Sequence, residues 1–486
     1  MSKNPTTDAG GRLRWRNVYR EVELYKAAVR VYTKPLFRWR KALNVSADGK
    51  TLYDLASRGL RGLDGIHHAL AREEFQFRPS IGLKYNFNGK HRTLYIPPWE
   101  ERIVDLLLYR VLNQKLRAWF SPRSFAYRDR VYGLDNCQLQ IAEVLRSSRD
   151  ALYLIKRDVS DYFGSIDHEI LLEQIAQQVE PDDYLFHLLR KRIKFIYQDE
   201  AGTHQAAVGV PFGCASACVL ANIYLTGLDR AIGAIPGVHY FRYADDLLLL
   251  SRDRACALRA REQMTQILHE LKLETKSSHE ADSRLSLDWV EDEQFKSIGE
   301  FRHLGLSFRA GGQVALSRDK RRKIQNLFRF AFRRKRRSWM KLTNPKEQAR
   351  TLIAIAADTI ENGVRNVAII DYYLKHVTDT SQLCLLDRWL AEQILSLIFR
   401  GHKKGHFAKI GFKELRDLGL PSLVHRQRLI LHGKTESPFF LWQQEKTIRA
   451  FRGTVASPIA VTCGNRTSLR TQKQQLTVPV REGGCL

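Results

Sequence analysis

An α+β fold is the reading of this chain, and three observations carry it. Apolar and aromatic residues cluster at strand spacing in the middle of the sequence, around Ala151–Arg157, Val238–Arg242 and Leu247–Leu250. Helical spacing governs the beginning, where Leu52, Leu55, Leu60, Leu63, Ile66 and Leu70 recur three to five residues apart over a segment read as helical from 12 to 75. The same spacing returns after residue 311, where Ile324, Leu327, Phe328, Ala331 and Phe332 alternate with basic residues, and 345–435 reads as further helices. Strands in the centre with helices at both ends describe a sheet covered by helices, and no internal repeat interrupts that order.

The central strands carry acids where apolar strands rarely hold them. Asp245 and Asp246 lie between Tyr240-Phe241-Arg242-Tyr243-Ala244 and Leu247-Leu248-Leu249-Leu250, which places the pair at a tight turn between two buried strands. Adjacent carboxylates beside apolar strands repel each other and lose hydration unless a cation offsets them. Oxygen ligands of this kind suit Mg²⁺. A lone Asp-Asp pair is usually a surface turn. Here a third acid, Asp158, ends the strand Ala151–Arg157 and is followed by Val159-Ser160-Asp161-Tyr162-Phe163-Gly164. Asp158 and Asp245 meet only if their strands are neighbours in one sheet. Between them Gly209-Val210-Pro211-Phe212-Gly213 feeds a helix of small residues, Cys214 to Leu225, that admits close approach of a ligand to the backbone.

With these residues in view the chain resembles the bacterial reverse transcriptases of the group II intron-like branch, over residues 80 to 310. Arg92 to Val104 resembles that branch's fingers motif, and Phe120 to Arg128 its Ser-Tyr-Gly-Phe-Arg motif. Asp158–Phe163, Gly209–Leu225 and Tyr243–Asp246 are similar to motifs A, B and C, Lys276 to motif D, and Phe301–Leu306 to the grip hairpin. The resemblance implies a right-hand polymerase: fingers, a palm with an antiparallel sheet, and a helical thumb. Its segments are an N-terminal helical extension (1–75), fingers (76–150), palm (151–310), the start of a basic thumb (311–345), a helical RNA-binding region (346–450) and a flexible basic tail (451–486). It implies Asp158, Asp245 and Asp246 as catalytic residues, holding two Mg²⁺ (or Mn²⁺) with help from the Val159 carbonyl. It implies nucleotide contacts from Arg92, with Lys84, Lys90 and Arg128 as weaker candidates, a steric gate at Phe163, pocket residues Phe212 and Gly213, and a proton donor in Lys276. Asp161 is implied to touch the triphosphate through its backbone. Asp167 and His168 read as helix caps.

One departure is specific. The family carries Pro-Gln-Gly in motif B and this chain has Pro211-Phe212-Gly213; a later Ser-Pro is Ala217-Cys218. Altered motif B resembles the divergent members tied to phage defence. The expectation is therefore a polymerase copying a dedicated noncoding RNA in antiphage defence, with an intron-encoded maturase lacking an endonuclease domain as the alternative and a non-catalytic RNA scaffold as a third reading. Segments Leu386–Leu390 and Leu418–Leu423 loosely resemble the thumb-to-maturase region.

Composition agrees with a polyanionic partner. Lys and Arg number 79 against 52 acids, a net charge of +27 and a pI near 9.9. Lys320, Arg321, Arg322, Arg333, Arg334, Arg336 and Arg337 read as a helical face tracking a phosphate backbone, with Arg128 as a further nucleic-acid contact. RNA template, cDNA product and deoxynucleotides are the expected partners; a homo-oligomer is compatible. No apolar run has the length of a membrane span, no signal peptide is evident, and seven scattered cysteines suit a reducing cytoplasm. Cys214 and Cys218 read as packing residues rather than zinc ligands.

Overall fold

The computed structural model describes residues 11–433 apart from 36–37, 58, 88–89, 149, 277–281, 362–365 and 402–403; the tail expected to be flexible lies outside the described residues. Among the described residues two compact units emerge, one built from 11–137 with 153–282, the other from 138–152 with 283–433.

The first unit holds two sheets. In the first, β1 (Ser80–Phe87) and β2 (Lys90–Ile96) form an antiparallel hairpin, and β1 also pairs with a second hairpin, β4 (Ile196–Asp199) and β5 (Gly202–Gln205). In the second, β7 (Asp246–Ser251) lies between β6 (Val238–Tyr243) and β3 (Leu152–Asp158), antiparallel to both. Leu247 to Leu250 and Tyr240–Phe241 are wholly buried. That is why this stretch reads as continuously apolar: both faces of β7 are covered.

Helices bury the sheet through apolar stripes. The helices are α1 (Glu21–Thr33), α2 (Trp99–Lys115), α3 (His168–Ala176), α4 (Tyr184–Ile193), α5 (Ala215–Tyr224), α6 (Thr226–Gly233) and α7 (Arg254–Glu270). Helix α5 is buried on nearly every side, as its small residues allow. Acidic residues start several helices: Asp183 and Asp253 accept from the first-turn amides of α4 and α7. The expected N-terminal helicity is present, with Glu23 of α1 paired to Arg110 of α2 at 3.2 Å.

Two buried ionic networks fix these helices. Asp105 of α2 accepts from Arg192 Nε of α4 at 2.7 Å, from the Ser216 hydroxyl, and from the Ser216 amide at 3.1 Å, which caps α5. Asp229 of α6 grips Arg242 of β6 with two contacts, 2.7 and 2.6 Å, and all four charged groups are buried. A carboxylate and a guanidinium enter a core only as a geometrically matched, hydrogen-bonded pair.

In the second unit the strands Glu300–His303 (β8), Leu306–Arg309 (β9) and Val314–Leu316 (β10) form an antiparallel meander. Helix α8 (Arg318–Arg334) follows, then the short α9 (Arg336–Met340), α10 (Pro345–Glu361) and α11 (Thr380–Ile398). Ile324, Phe328 and Phe332, four apart, are the buried stripe of α8. The basic run is not one helix, because it breaks at Lys335. Asp387 of α11 accepts from the Ser422 hydroxyl and the Leu423 amide (2.5 and 2.7 Å), so the two segments singled out at the C-terminal end are bonded to each other. Among the described residues no helix is long and apolar enough to cross a membrane.

Candidate active site

The site sits at one end of the β6–β7–β3 sheet. Strand register puts Asp158, the last residue of β3, opposite Asp246, the first of β7. The Val159 amide donates to the Asp245 carbonyl at 3.1 Å. Two acids distant in sequence are thus backbone neighbours, as the strand pattern requires. The turn differs slightly from expectation: its loop is Ala244-Asp245, closed by the Tyr243–Asp246 pair, so Asp246 is already in the strand. Ala244 adopts φ +58°, a left-handed conformation that costs an L-residue about 1–2 kcal/mol. Arg242 Nη1 donates to the Ala244 carbonyl at 3.2 Å while its other donors hold Asp229, Asn222 and Ser124. The buried arginine therefore braces the strained turn that presents Asp245.

Electrostatics mark the same spot. Burial raises the Asp245 carboxyl above its ordinary range, and the neighbouring charges of Asp158 and Asp246 add to that rise against relief from Lys276. Asp158 Oδ1 is buried with no hydrogen-bond partner, while its Oδ2 meets the Lys276 ammonium at 2.5 Å. Lys156 approaches Asp246 at 3.9 Å. Among the described residues no three His, Cys, Asp or Glu side chains are gathered into a finished ligand set. The donor chemistry nonetheless fits a divalent ion: hard oxygens, mutual repulsion and an unsatisfied buried carboxylate oxygen all favour added positive charge.

An aromatic row borders the acids. The rings of Tyr127 and Phe163 are 6.0 Å apart, those of Phe163 and Phe212 5.6 Å, each edge to face. The Arg92 guanidinium, exposed on β2, lies 5.4 Å from the centre of the Phe212 ring. Phe212 is set from two sides. Its carbonyl accepts from the Tyr95 amide of β2 at 2.9 Å, and the neighbouring Gly213, at φ +102°, faces Leu94, into which a Cβ would run. Gly209, at φ +83°, packs against the carbonyls of Phe163 and Gly164, where an added Cβ would stand 3.0 Å from each. The Val210 amide donates to the Phe163 carbonyl at 2.8 Å, which locks the loop beneath the ring. Glycine is needed at both positions for conformation and clearance.

Several expectations resolve. Asp158, Val159, Asp245, Asp246 and Lys276 come together, and Arg92, Phe163, Phe212 and Gly213 form the adjacent wall. Asp167 caps α3, accepting from the Glu169 and Ile170 amides at 3.0 and 3.1 Å. His168 does not cap; its Nε2 donates to the Gly209 carbonyl at 2.6 Å, and burial lowers its basicity. Asp161 is exposed, in a left-handed conformation with φ +39°. The Lys90 side chain lies outside the described residues, and Lys84 is exposed on β1.

Arg128 needs correction as a nucleic-acid or nucleotide contact. It is buried and donates to the carbonyls of Ser121 (2.6 Å), Ser124 (3.0 Å) and Arg117 (3.3 Å), with its guanidinium over the Tyr132 ring. Its charge is spent locking a loop. Lys276 faces Asp158 rather than standing open, and its amide donates to the Asp158 carbonyl at 3.0 Å. In the second unit Arg322, Arg333, Arg334, Arg336 and Arg337 are exposed, but Lys320 and Arg321 are half-buried, with Lys320 over the Tyr373 ring. Tyr127 and Arg242 went unnoticed in the sequence. An arginine inside an apolar strand next to an acidic turn was the available signal for Arg242. Tyr127, whose hydroxyl burial and then nearby negative charge push upward, carried none.

Residues 83–279 match the family described as Reverse transcriptase (RNA-dependent DNA polymerase). The chain is similar to protein YkfC of Escherichia coli (25% identical over 223 residues, 38% of this chain and 58% of the relative). It is similar to the group II intron-encoded protein LtrA of Lactococcus lactis (25% over 143 residues, 29% and 23%). It is also similar to the retron Ec83 reverse transcriptase of Escherichia coli (27% over 133 residues, 26% and 39%). The chain thus spans less than two thirds of the length of each of these relatives.

Proposed function

From a chain that carries a reverse transcriptase domain at residues 83–279, we propose a working RNA-directed DNA polymerase. The strand register that sets Asp158 against Asp246, with Asp245 bonded through its carbonyl to Val159, is the observation that carries the reading. Reverse transcriptase domains use divalent metal ions. Here Asp158, Asp245 and Asp246, with the Val159 carbonyl, would hold two Mg²⁺, and Mn²⁺ is an admissible substitute. Such ions, when bound, offset the charge of the attacking and leaving oxygens.

The rest of the work falls to the chain's own side chains. Arg92 lies along the triphosphate, where a planar guanidinium matches phosphate oxygens bidentately. Phe163 lies under the sugar and crowds a 2′-hydroxyl. Phe212 replaces a polar side chain with a ring that packs against the base pair, and Gly213 leaves its backbone bare for close approach. As a primer 3′-hydroxyl loses its proton to solvent and its oxygen displaces pyrophosphate from the α-phosphorus, Lys276 hands a proton to the leaving oxygen. Exposed arginines of α8 and α9, Arg322, Arg334 and Arg337 among them, follow the nucleic-acid backbone.

The template we infer is a dedicated noncoding RNA and the setting antiphage defence in the cytoplasm; the phenylalanine in place of glutamine in motif B supports this. Purified full-length protein is given an RNA template, a DNA primer, deoxynucleotides and Mg²⁺, in parallel with an unprimed reaction. DNA product sensitive to RNase pretreatment of the template is expected. Failure to make DNA in either reaction, by folded protein with its copurified RNA retained, overturns the activity. Sequencing that copurified RNA separates the settings: a short structured RNA supports defence, and the protein's own intron contradicts it.

A further inference from the structure

A second concentration of arginine lies within the helical unit. Residues of α8, α9, α10 and α11, with Arg400 just beyond, line a cavity of about 930 Å³, of the size of small-molecule sites, ~300–1,000 Å³. Arg329, Arg333, Arg336 and Arg400 line it, and no acid is among its described lining residues. The partners of Arg329 are neutral: Gln393 and Asn326, each at 3.3 Å, and the Trp389 ring, 5.3 Å from the guanidinium. They aim the guanidinium without cancelling it. Four like charges around one open space attract anions.

The floor is of a different kind. Phe332 and Trp339 are buried there, and Trp339 Nε1 is fixed by donating to the Phe332 carbonyl at 3.2 Å. Leu397 and Ile398 complete an apolar wall, with the amides of Gln348 and Gln393 at its edge. Guanidinium groups over an apolar, aromatic floor match a phosphate joined to a flat heterocycle. A duplex offers only phosphates and groove edges to its surroundings, whereas an unpaired nucleotide offers both faces of the match.

We propose that this cavity seats an unpaired nucleoside phosphate, either free or as an extruded residue of a bound strand, with the phosphate on Arg333 and Arg400 and the base over the floor. The choice of a nucleotide among anions rests on the polymerase reading above. The site itself does not need the acidic centre. It also divides the basic run by role: Arg333 and Arg336 serve a pocket, whereas Arg322 and Arg334 do not line it.

The test is binding measured by calorimetry in EDTA, where the metal-dependent centre is silent. The probes are adenosine monophosphate, inorganic phosphate and a single-stranded RNA pentamer, each titrated into full-length protein and into its Asp245→Ala/Asp246→Ala variant. Equal binding by both proteins is expected. Arg333→Gln/Arg400→Gln should weaken monophosphate or pentamer about tenfold or more, while the charge-matched Arg416→Gln/Arg428→Gln changes it less than about twofold. Tighter binding of the monophosphate than the pentamer identifies a free nucleotide; the reverse identifies a strand residue. Equal losses in the two double variants, or none in the first, overturn the proposal. Photocrosslinking of 4-thiouridine RNA or nucleotide to the unaltered protein covers a variant that does not fold: adducts at Trp339 or Met340 support the site, and adducts elsewhere alone reject it. Loss of binding in the Asp245→Ala/Asp246→Ala variant also rejects it, while leaving the polymerase reading intact.

Discussion

The turn carrying Asp245 and the network around Arg242, three residues earlier in sequence, treat buried charge in opposite ways. Behind the turn, Arg242 and Asp229 are fully buried and every close partner is matched: two carboxylate contacts, Asn222, Ser124 and the Ala244 carbonyl. At the turn, Asp245 is raised by burial and by two neighbouring acids, Asp158 has an unsatisfied oxygen, and the backbone is strained at Ala244. The first arrangement stabilises a shape. The second destabilises the chain unless positive charge arrives, and the first holds it in place. A charge network that looks catalytic can be scaffolding, and strain beside it can mark the chemistry.

Arg242→Ala leaves Asp229 buried without its counter-charge and frees the turn; a loss of about 3–5 kcal/mol in denaturant unfolding is expected, and a change below about 1 kcal/mol would show the network to be incidental. Phe163→Ala should reduce preference for deoxynucleotides over ribonucleotides by about ten- to a hundredfold in single-turnover incorporation, without the stability loss of Arg242→Ala; unchanged preference removes the gate. Arg128→Ala should cost about 1–3 kcal/mol through orphaned carbonyls, and the salt dependence of RNA binding should keep its slope. A slope reduced by about one would restore Arg128 as a phosphate contact.

The smallest effect concerns pH. The folded-state pKa of Asp245 is raised above its unfolded value of 3.8, so the folded chain holds this proton more tightly. Stability lost to the ionised group is absent below the unfolded value, grows as pH rises through the folded one, and persists at neutrality. Asp245→Asn, which mimics the protonated form, should raise Tm at pH 7 without added metal and converge with the parent near pH 3. The same Tm difference at both pH values would contradict the assigned cause.

Much of the site was legible because its signals are local. Strand alternation and acids at strand ends placed Asp158 beside the dyad, and the Gly-Val-Pro-Phe-Gly run placed a turn before a small-residue helix. Asp167 as a cap was likewise a short-range pattern. What stayed hidden depends on contacts between distant segments: Asp105 with Arg192, Asp229 with Arg242, His168 with Gly209. Arg128 was misread because a basic residue in a motif gives no sign of whether it faces solvent or backbone carbonyls. The basic run was read as one surface, and its unbroken charge pattern held no cue to the helix break at Lys335 or to the cavity that Arg333 and Arg336 line.

The most direct test is RNA-templated incorporation by Asp245→Ala/Asp246→Ala protein beside the parent chain, with far-ultraviolet circular dichroism and Tm matched beforehand. A folded, equally or more stable variant that makes no DNA is the expected result, because the change removes a metal site and an unfavourable cluster but no core. Undiminished synthesis by that folded variant would contradict the placement of the chemistry at this turn.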